Sequence, residues 1–149
     1  MSYPSNHSIH IPIQKIRPNA LIPSYATDLS AGVDLHSCLS VHLKPMERLL
    51  IPTGIAIAIP VGFEGQVRPR SGLAAKSGIT IVNAPGTIDS DYRKEIFVAL
   101  INLSSEEFFI TEGMRIAQLL VAPVFKIQWN ICDCIESTDR GGFGSTGLY

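Results

Sequence analysis

β-type patterning dominates this chain. The segments HIPIQKI (10–16), LLIPTGIAIAIP (49–60), FEGQVRP (63–69), ITIVN (79–83), IFVALINLS (96–104), EFFITE (107–112) and RIAQLLVAPVF (115–125) are short and rich in Ile, Val and Phe. Gly, Pro, Asn or Ser turns separate them. Many short strands at regular spacing predict a sandwich or barrel, and IFVALINL reads as a buried strand. The one helical signal is SGLAAKSG, Ser71 to Gly78, a turn or two between glycines and too short to stand without packing on something. From Cys134 onward the character changes: CIESTDRGGFGSTGLY carries four glycines among Ser and Thr and lacks the apolar periodicity that offsets backbone ordering. The expected architecture is all-β: one domain over 1–149, with a core over about 8–133 and a flexible Gly-rich arm over about 134–149.

Composition narrows the class. At 149 residues, 46% hydrophobic and 17% charged, the chain suits one well-cored globular unit. A formal net charge of −1 gives no general polyanion-binding surface, so nucleic acid is not an expected partner, although the local cluster Arg68-Pro69-Arg70 remains a candidate anion site. Cys38, Cys132 and Cys134 are odd in number and lack paired metal spacing, which reads as buried or free thiols in a reducing cytosol. His7, His10, His36 and His42 form no HExxH-type group. No apolar run approaches membrane-spanning length and no targeting segment is evident, so the expectation is a cytoplasmic protein without a membrane partner.

Three stretches carry candidate chemistry. In VRPRSGLAAKSG (67–78), Arg70, Ser71 and Gly72 offer a guanidinium, a hydroxyl and free N–H groups at a helix start, the parts of a phosphate site. An ordinary N-cap with Ser71 satisfying helix amides fits the same residues. In GTIDSDY (86–92), strand periodicity puts Asp89 and Asp91 on one face, where two carboxylates repel and one is raised in pKa or turned elsewhere; turn residues after Ala84-Pro85-Gly86 fit equally. The arm holds Arg140 and Phe143 among glycines, a composition suited either to a linker or to closing over a phosphate and a planar ring.

Taken together these motifs resemble the trimeric all-β dUTP pyrophosphatase (dUTPase) family. Its five motifs occur in order as AGVDL (31–35), RPRSGL (68–73), GTIDSDY (86–92), RIAQL (115–119) and GGFGSTG (141–147). The resemblance implies a jelly-roll-like subunit, a homotrimer with shared active sites, and Mg²⁺-dependent hydrolysis of dUTP to dUMP and pyrophosphate. That activity limits uracil incorporation into DNA and supplies dUMP for thymidylate synthesis. It further implies that Asp89 orients and deprotonates the water attacking the α-phosphorus, and that Asp34 holds the Mg²⁺ hydration shell. Arg70, Ser71, Gly72 and Gln118 then contact phosphates. Asn83 and the backbone of Thr87, Ile88 and Asp89 form the uracil pocket, Tyr92 packs on deoxyribose, and Arg140, Phe143, Gly144 and Ser145 close the arm over the nucleotide, with Asp91 in support. A dry backbone site fitted to the acceptor–donor–acceptor edge of uracil leaves groups unpaired against cytosine, worth about 10⁴-fold or more in discrimination.

The chain departs from the family pattern in places. Arg140 stands three residues before Phe143 where relatives usually have five, shortening the extended reach by roughly 7 Å. Lys94 replaces a common glycine, Ser77 a frequent histidine, and Phe97 a frequent lysine. A dCTP deaminase on the same fold would need protonation machinery at the cytosine ring, which no motif supplies. A non-catalytic dUTP-binding protein would bind without releasing pyrophosphate.

Overall fold

The computed structural model describes residues 8–142 and contains eleven strands and one helix among them. The four-stranded sheet runs β2 (Val33–His36), β11 (Arg115–Pro123), β6 (Phe63–Arg68), β8 (Gly86–Ile88); the three-stranded sheet runs β4 (Arg48–Pro52), β9 (Phe97–Asn102), β7 (Ile79–Ile81). Two ribbons, β1 (Ile13–Lys15) with β5 (Ile55–Ile57) and β3 (Val41–Leu43) with β10 (Phe108–Ile110), complete a jelly-roll-like sandwich in which every pairing is antiparallel. No barrel closes among the described residues.

The alternation of the strands builds one core. Leu35, Val67, Ile88 and Leu119 project from the four-stranded sheet to meet Ile51, Ile79, Val98 and Leu100 of the three-stranded sheet, with Leu43, Ile55 and Ile110 from the ribbons. β9 is half-buried rather than wholly buried. Val98, Leu100 and Asn102 point inward, while Phe97 on the other face is exposed. Asn102 is fully buried and fully satisfied: Nδ2 donates to the carbonyls of Leu43 (2.9 Å) and Glu106 (2.8 Å), and Oδ1 accepts from Ser104 N (2.9 Å) and Oγ (2.8 Å).

Local sequence explains the breaks. LLIPTGIAIAIP yields β4 and β5 in different sheets, because Gly54 between them adopts φ 72° and a Cβ there would sit 2.5 Å from Cys38 Sγ. The predicted helix is α1 (Ser71–Ser77), closed at its C-terminus by Gly78 at φ 66°. β2 and β3 are strands of four and three residues that the pattern did not announce.

The packed part of the chain ends at β11. Beyond Pro123 the described residues have no regular structure, and the exposed region starts about ten residues before Cys134, the boundary expected from composition. Phe125, Ile127, Trp129, Ile131 and Ile135 are 88%, 71%, 84%, 94% and 83% exposed.

Candidate active site

The motif residues fall at two places on the four-stranded sheet. At one end, β2, β11 and the start of α1 surround a polar cavity of about 290 Å³ lined by Asp34, Arg70, Ser71, Gly72 and Gln118. Register brings them together: Gln118 on β11 lies opposite Asp34 on β2 and Arg68 on β6. Its side-chain amide is fixed too, since Gln118 Nε2 donates to the Pro69 carbonyl at 2.9 Å. Gly32 lets these strands close up, because a Cβ there would lie 3.1 Å from Gln118 Oε1 and 3.0 Å from Leu120 Cδ1.

Asp34 is the electrostatic centre of this corner. Its Oδ1 is 3.1 Å from Arg70 Nε and its Oδ2 is 3.4 Å from Arg115 Nη1, while Arg70 Nη1 donates to the Arg115 carbonyl at 3.1 Å. Arg115 was not singled out from the sequence, although it opens the RIAQL motif. His36, two residues along β2, has a buried Nδ1 without a partner. Burial pushes its pKa down, Asp34 opposes this, and Arg115 and Arg70 reinforce it. Ser71 is the first residue of α1 and Arg70 holds the N-cap position with no side-chain cap, so the capping reading of Ser71 is not what the chain adopts. A Cβ on Gly72 would meet nothing within 4 Å, which leaves its backbone open to a ligand.

Asp89 lies at the other end. The pairs Val67↔Gly86 and Gly65↔Ile88 set Asp89 level with Glu64. Four residues of β6 therefore separate that level from Arg68, roughly 13 Å along the strand. Asp89 and Asp91 border a separate cavity of about 410 Å³ with Gly62, Glu64 and Lys126. They do not share a strand face: β8 stops at Ile88, and the Tyr92 N–H donates to the Asp89 carbonyl at 3.1 Å, closing a turn over 89–92. Arg93, also unforeseen, ties this turn through Nη1 to the carbonyls of Ser90 (2.7 Å) and Tyr92 (2.8 Å).

The hairpin leading to the turn is an edge. β8 pairs only with β6, so its outer side presents backbone donors and acceptors. Ile88 is buried in the core and offers only its main chain outward, Thr87 is exposed, and the Asn83 amide lies over Gly86, whose Cβ would be 3.2 Å from Nδ2. Tyr92 is partly exposed and donates its hydroxyl to the Glu95 carbonyl at 2.9 Å. Arg140 is exposed; Phe143, Gly144 and Ser145 lie outside the described residues.

The donor set bears on magnesium. Asp34 is the only carboxylate on the polar cavity, and among the described residues no group of three His, Cys, Asp or Glu could hold a metal. Such a site fits an ion that keeps its waters and binds chiefly to phosphate oxygens.

The chain is similar to known proteins in sequence and in fold. Residues 18–147 match the dUTPase family. The deoxyuridine 5'-triphosphate nucleotidohydrolase of Wolbachia sp. subsp. Brugia malayi (strain TRS) is 61% identical over 132 residues, 85% of each chain. The enzyme of the same name from Syntrophotalea carbinolica is 49% identical, covering 95% of this chain and 99% of its own. Staphylococcus bacteriophage 80alpha dUTPase, solved with dUpNHpp, superposes with a TM-score of 0.86 at 26% identity, covering 95% of this chain and all of that one. A family match over residues 18–147, relatives at 49–61% identity over most of the chain and a shared fold agree, and the chain belongs to the dUTPase family.

Proposed function

We propose that the protein hydrolyses dUTP to dUMP and pyrophosphate in sites shared between copies of a homotrimer. The observation that carries the shared site is the separation just described: Asp89 and the Arg70–Gln118 corner sit at opposite ends of one sheet. In-line attack needs base and phosphates within one pocket, so they come from different subunits.

The exposed segment after β11 supports assembly. Phe125, Ile127, Trp129 and Ile131 alternate with Lys126, Gln128 and Asn130, a strand pattern whose apolar face is uncovered among the described residues. A second apolar surface, the groove of about 450 Å³ along Ile9, Ile11, Ile13, Tyr25 and Leu120, is available to receive a neighbour.

Within such a site, Arg70, Ser71 Oγ, the Gly72 N–H and Gln118 bind the phosphate oxygens, with Arg115 holding Asp34 in place. Asp34 would hold a magnesium ion through the ion's own waters. Magnesium, when bound, neutralises triphosphate charge and holds its geometry. The edge of β8 with Asn83 reads the uracil, and Tyr92 covers the sugar. Asp89 takes a proton from water as its oxygen bonds to the α-phosphorus, and the bond to the β-phosphate bridging oxygen breaks to release pyrophosphate. Arg140, Phe143, Gly144 and Ser145 close over the nucleotide and exclude water. The substrate is a free nucleotide, not a nucleic acid. A cytoplasmic location accords with three cysteines free of disulfides; among the described residues no helix is long and apolar enough to cross a membrane.

Complementation tests the shared site. Asp89→Asn and Arg70→Ala, each alone, lower pyrophosphate release from dUTP by about 10²-fold or more. Subunits of the two variants mixed and exchanged regain about a quarter of wild-type activity if each site draws on two chains. No recovery, with exchange verified by mass, rejects the shared site. Parallel assays with dCTP, dTTP and UTP, with and without Mg²⁺, test the substrate.

A further inference from the structure

Tyr92 is held by an anchor whose own fixation is unusual. Its hydroxyl donates to the main-chain carbonyl of Glu95, and the Glu95 side chain turns away from the site to bind elsewhere. Glu95 Oε1 accepts from Arg17 Nε at 2.6 Å and from Gly54 N at 2.9 Å, and Oε2 accepts from Arg17 Nη2 at 2.9 Å. This is a bidentate guanidinium–carboxylate pair with a third donor, on a carboxylate only 12% exposed. Arg17 follows β1 and Gly54 separates β4 from β5, so one side chain binds two separate parts of the sandwich to the residue that carries the tyrosine's acceptor. The next residue is equally fixed: Ile96 N donates to the Ile55 carbonyl at 2.9 Å, and the Ile96 carbonyl accepts from Thr53 Oγ1 at 2.7 Å.

The consequence is directional. Tyr92 sits on a turn with 38% of its surface exposed, and its hydroxyl bond ties the far end of the ring. A ring bonded to a carbonyl that can shift selects poorly between sugars differing by one hydroxyl, because a steric gate works only if it cannot yield. A ring bonded to a clamped carbonyl cannot yield.

We infer that Arg17 and Glu95 are positioning residues for sugar selection, clamping the carbonyl that holds the Tyr92 ring against the 2′ position of the nucleotide. The inference rests on the reading of Tyr92 as the sugar-facing ring. Neither residue touches substrate, and both act through Tyr92.

The test compares kcat/KM for dUTP and UTP, with Mg²⁺ and the full-length protein, in wild type, Arg17→Ala, Arg17→Lys, Glu95→Gln, Tyr92→Ala and the Arg17→Ala/Tyr92→Ala double variant. Arg17→Ala lowers the dUTP-to-UTP ratio about tenfold, chiefly by letting UTP in, while kcat on dUTP changes little. Arg17→Lys restores part of the ratio, and Glu95→Gln, which keeps the side-chain volume, moves it in the same direction as Arg17→Ala. Added to Tyr92→Ala, Arg17→Ala produces no further change, as expected for residues acting in series. Parallel losses for both substrates with an unchanged ratio, in a background where Tyr92→Ala does change it, overturn the clamp. An unchanged ratio in Tyr92→Ala itself overturns the sugar-gate reading beneath it, a separate failure seen in a separate variant.

Discussion

β9 and the segment after β11 are both rich in strand-forming apolar residues and meet different fates. In β9, Val98 and Leu100 are buried by the opposing sheet and Asn102 by the loops it binds. Between Phe125 and Ile131 apolar and polar residues alternate strictly, where β9 is a nearly unbroken apolar run, yet every apolar member lies in solvent. A period of two announces a strand with one apolar face; it does not say which molecule supplies the other surface. Exposed apolar area of this extent supports the subunit interface proposed above.

The hardest test of this comparison is to charge the unpaired face. Trp129→Asp with Ile131→Asp leaves a folded monomer by circular dichroism but no trimer by analytical ultracentrifugation, and pyrophosphate release falls by about 10³-fold because base and phosphate corner part company. A persisting trimer breaks the comparison. The matching change in β9, Leu100→Ala, acts on the fold instead: it costs about 2–5 kcal/mol in urea unfolding, without altering how subunits associate once folded.

Deleting residues 139–149 separates assembly from closure. The trimer remains, because the apolar face is intact, while turnover drops about 10²-fold for want of a closed, dry site. Loss of the trimer in that variant would extend the interface into the arm. The smallest expected effect concerns acid. The Arg17 hydrogen bond, aided by Gly54 and the Arg17 charge and opposed by burial, holds the Glu95 pKa below its ordinary 4.5. The stability it confers is complete above that value and is lost as pH falls through the lower folded value. A thermal-denaturation series from pH 7 to 3 shows a decline at its acid end that Glu95→Gln makes shallower.

Much of the fold was legible because each strand carries its own period and each break its own glycine or proline. The short α1 was legible from its flanking glycines. β2 and β3 were not, because three or four residues hold too little alternation to register. The segment 89–92 fits a strand face and a turn equally in sequence for a related reason: Asp-Ser-Asp continues an alternation on paper, and only the Tyr92 N–H bond to the Asp89 carbonyl decides for the turn. The site residues were legible as motifs, but their division between two ends of a sheet was not, since it depends on the register of β8 against β6. Arg17 escaped for want of any local signal and Arg115 although it opens a motif, because both work through partners about eighty residues away in the chain, Glu95 and Asp34.

Two guanidiniums on one carboxylate leave the phosphate corner with a single uncompensated positive charge. The Arg70 and Arg115 side chains are 30% and 52% exposed, so dissolved ions reach them. As the screening length shrinks from about 10 Å at 0.1 M salt to about 3 Å at 1 M, the pull of this corner on an incoming triphosphate fades, whereas the apolar contacts between the sheets do not. If this corner binds the triphosphate as proposed, ionic strength acts as a dial on KM, turning down capture of the nucleotide at salt concentrations that leave the subunit folded.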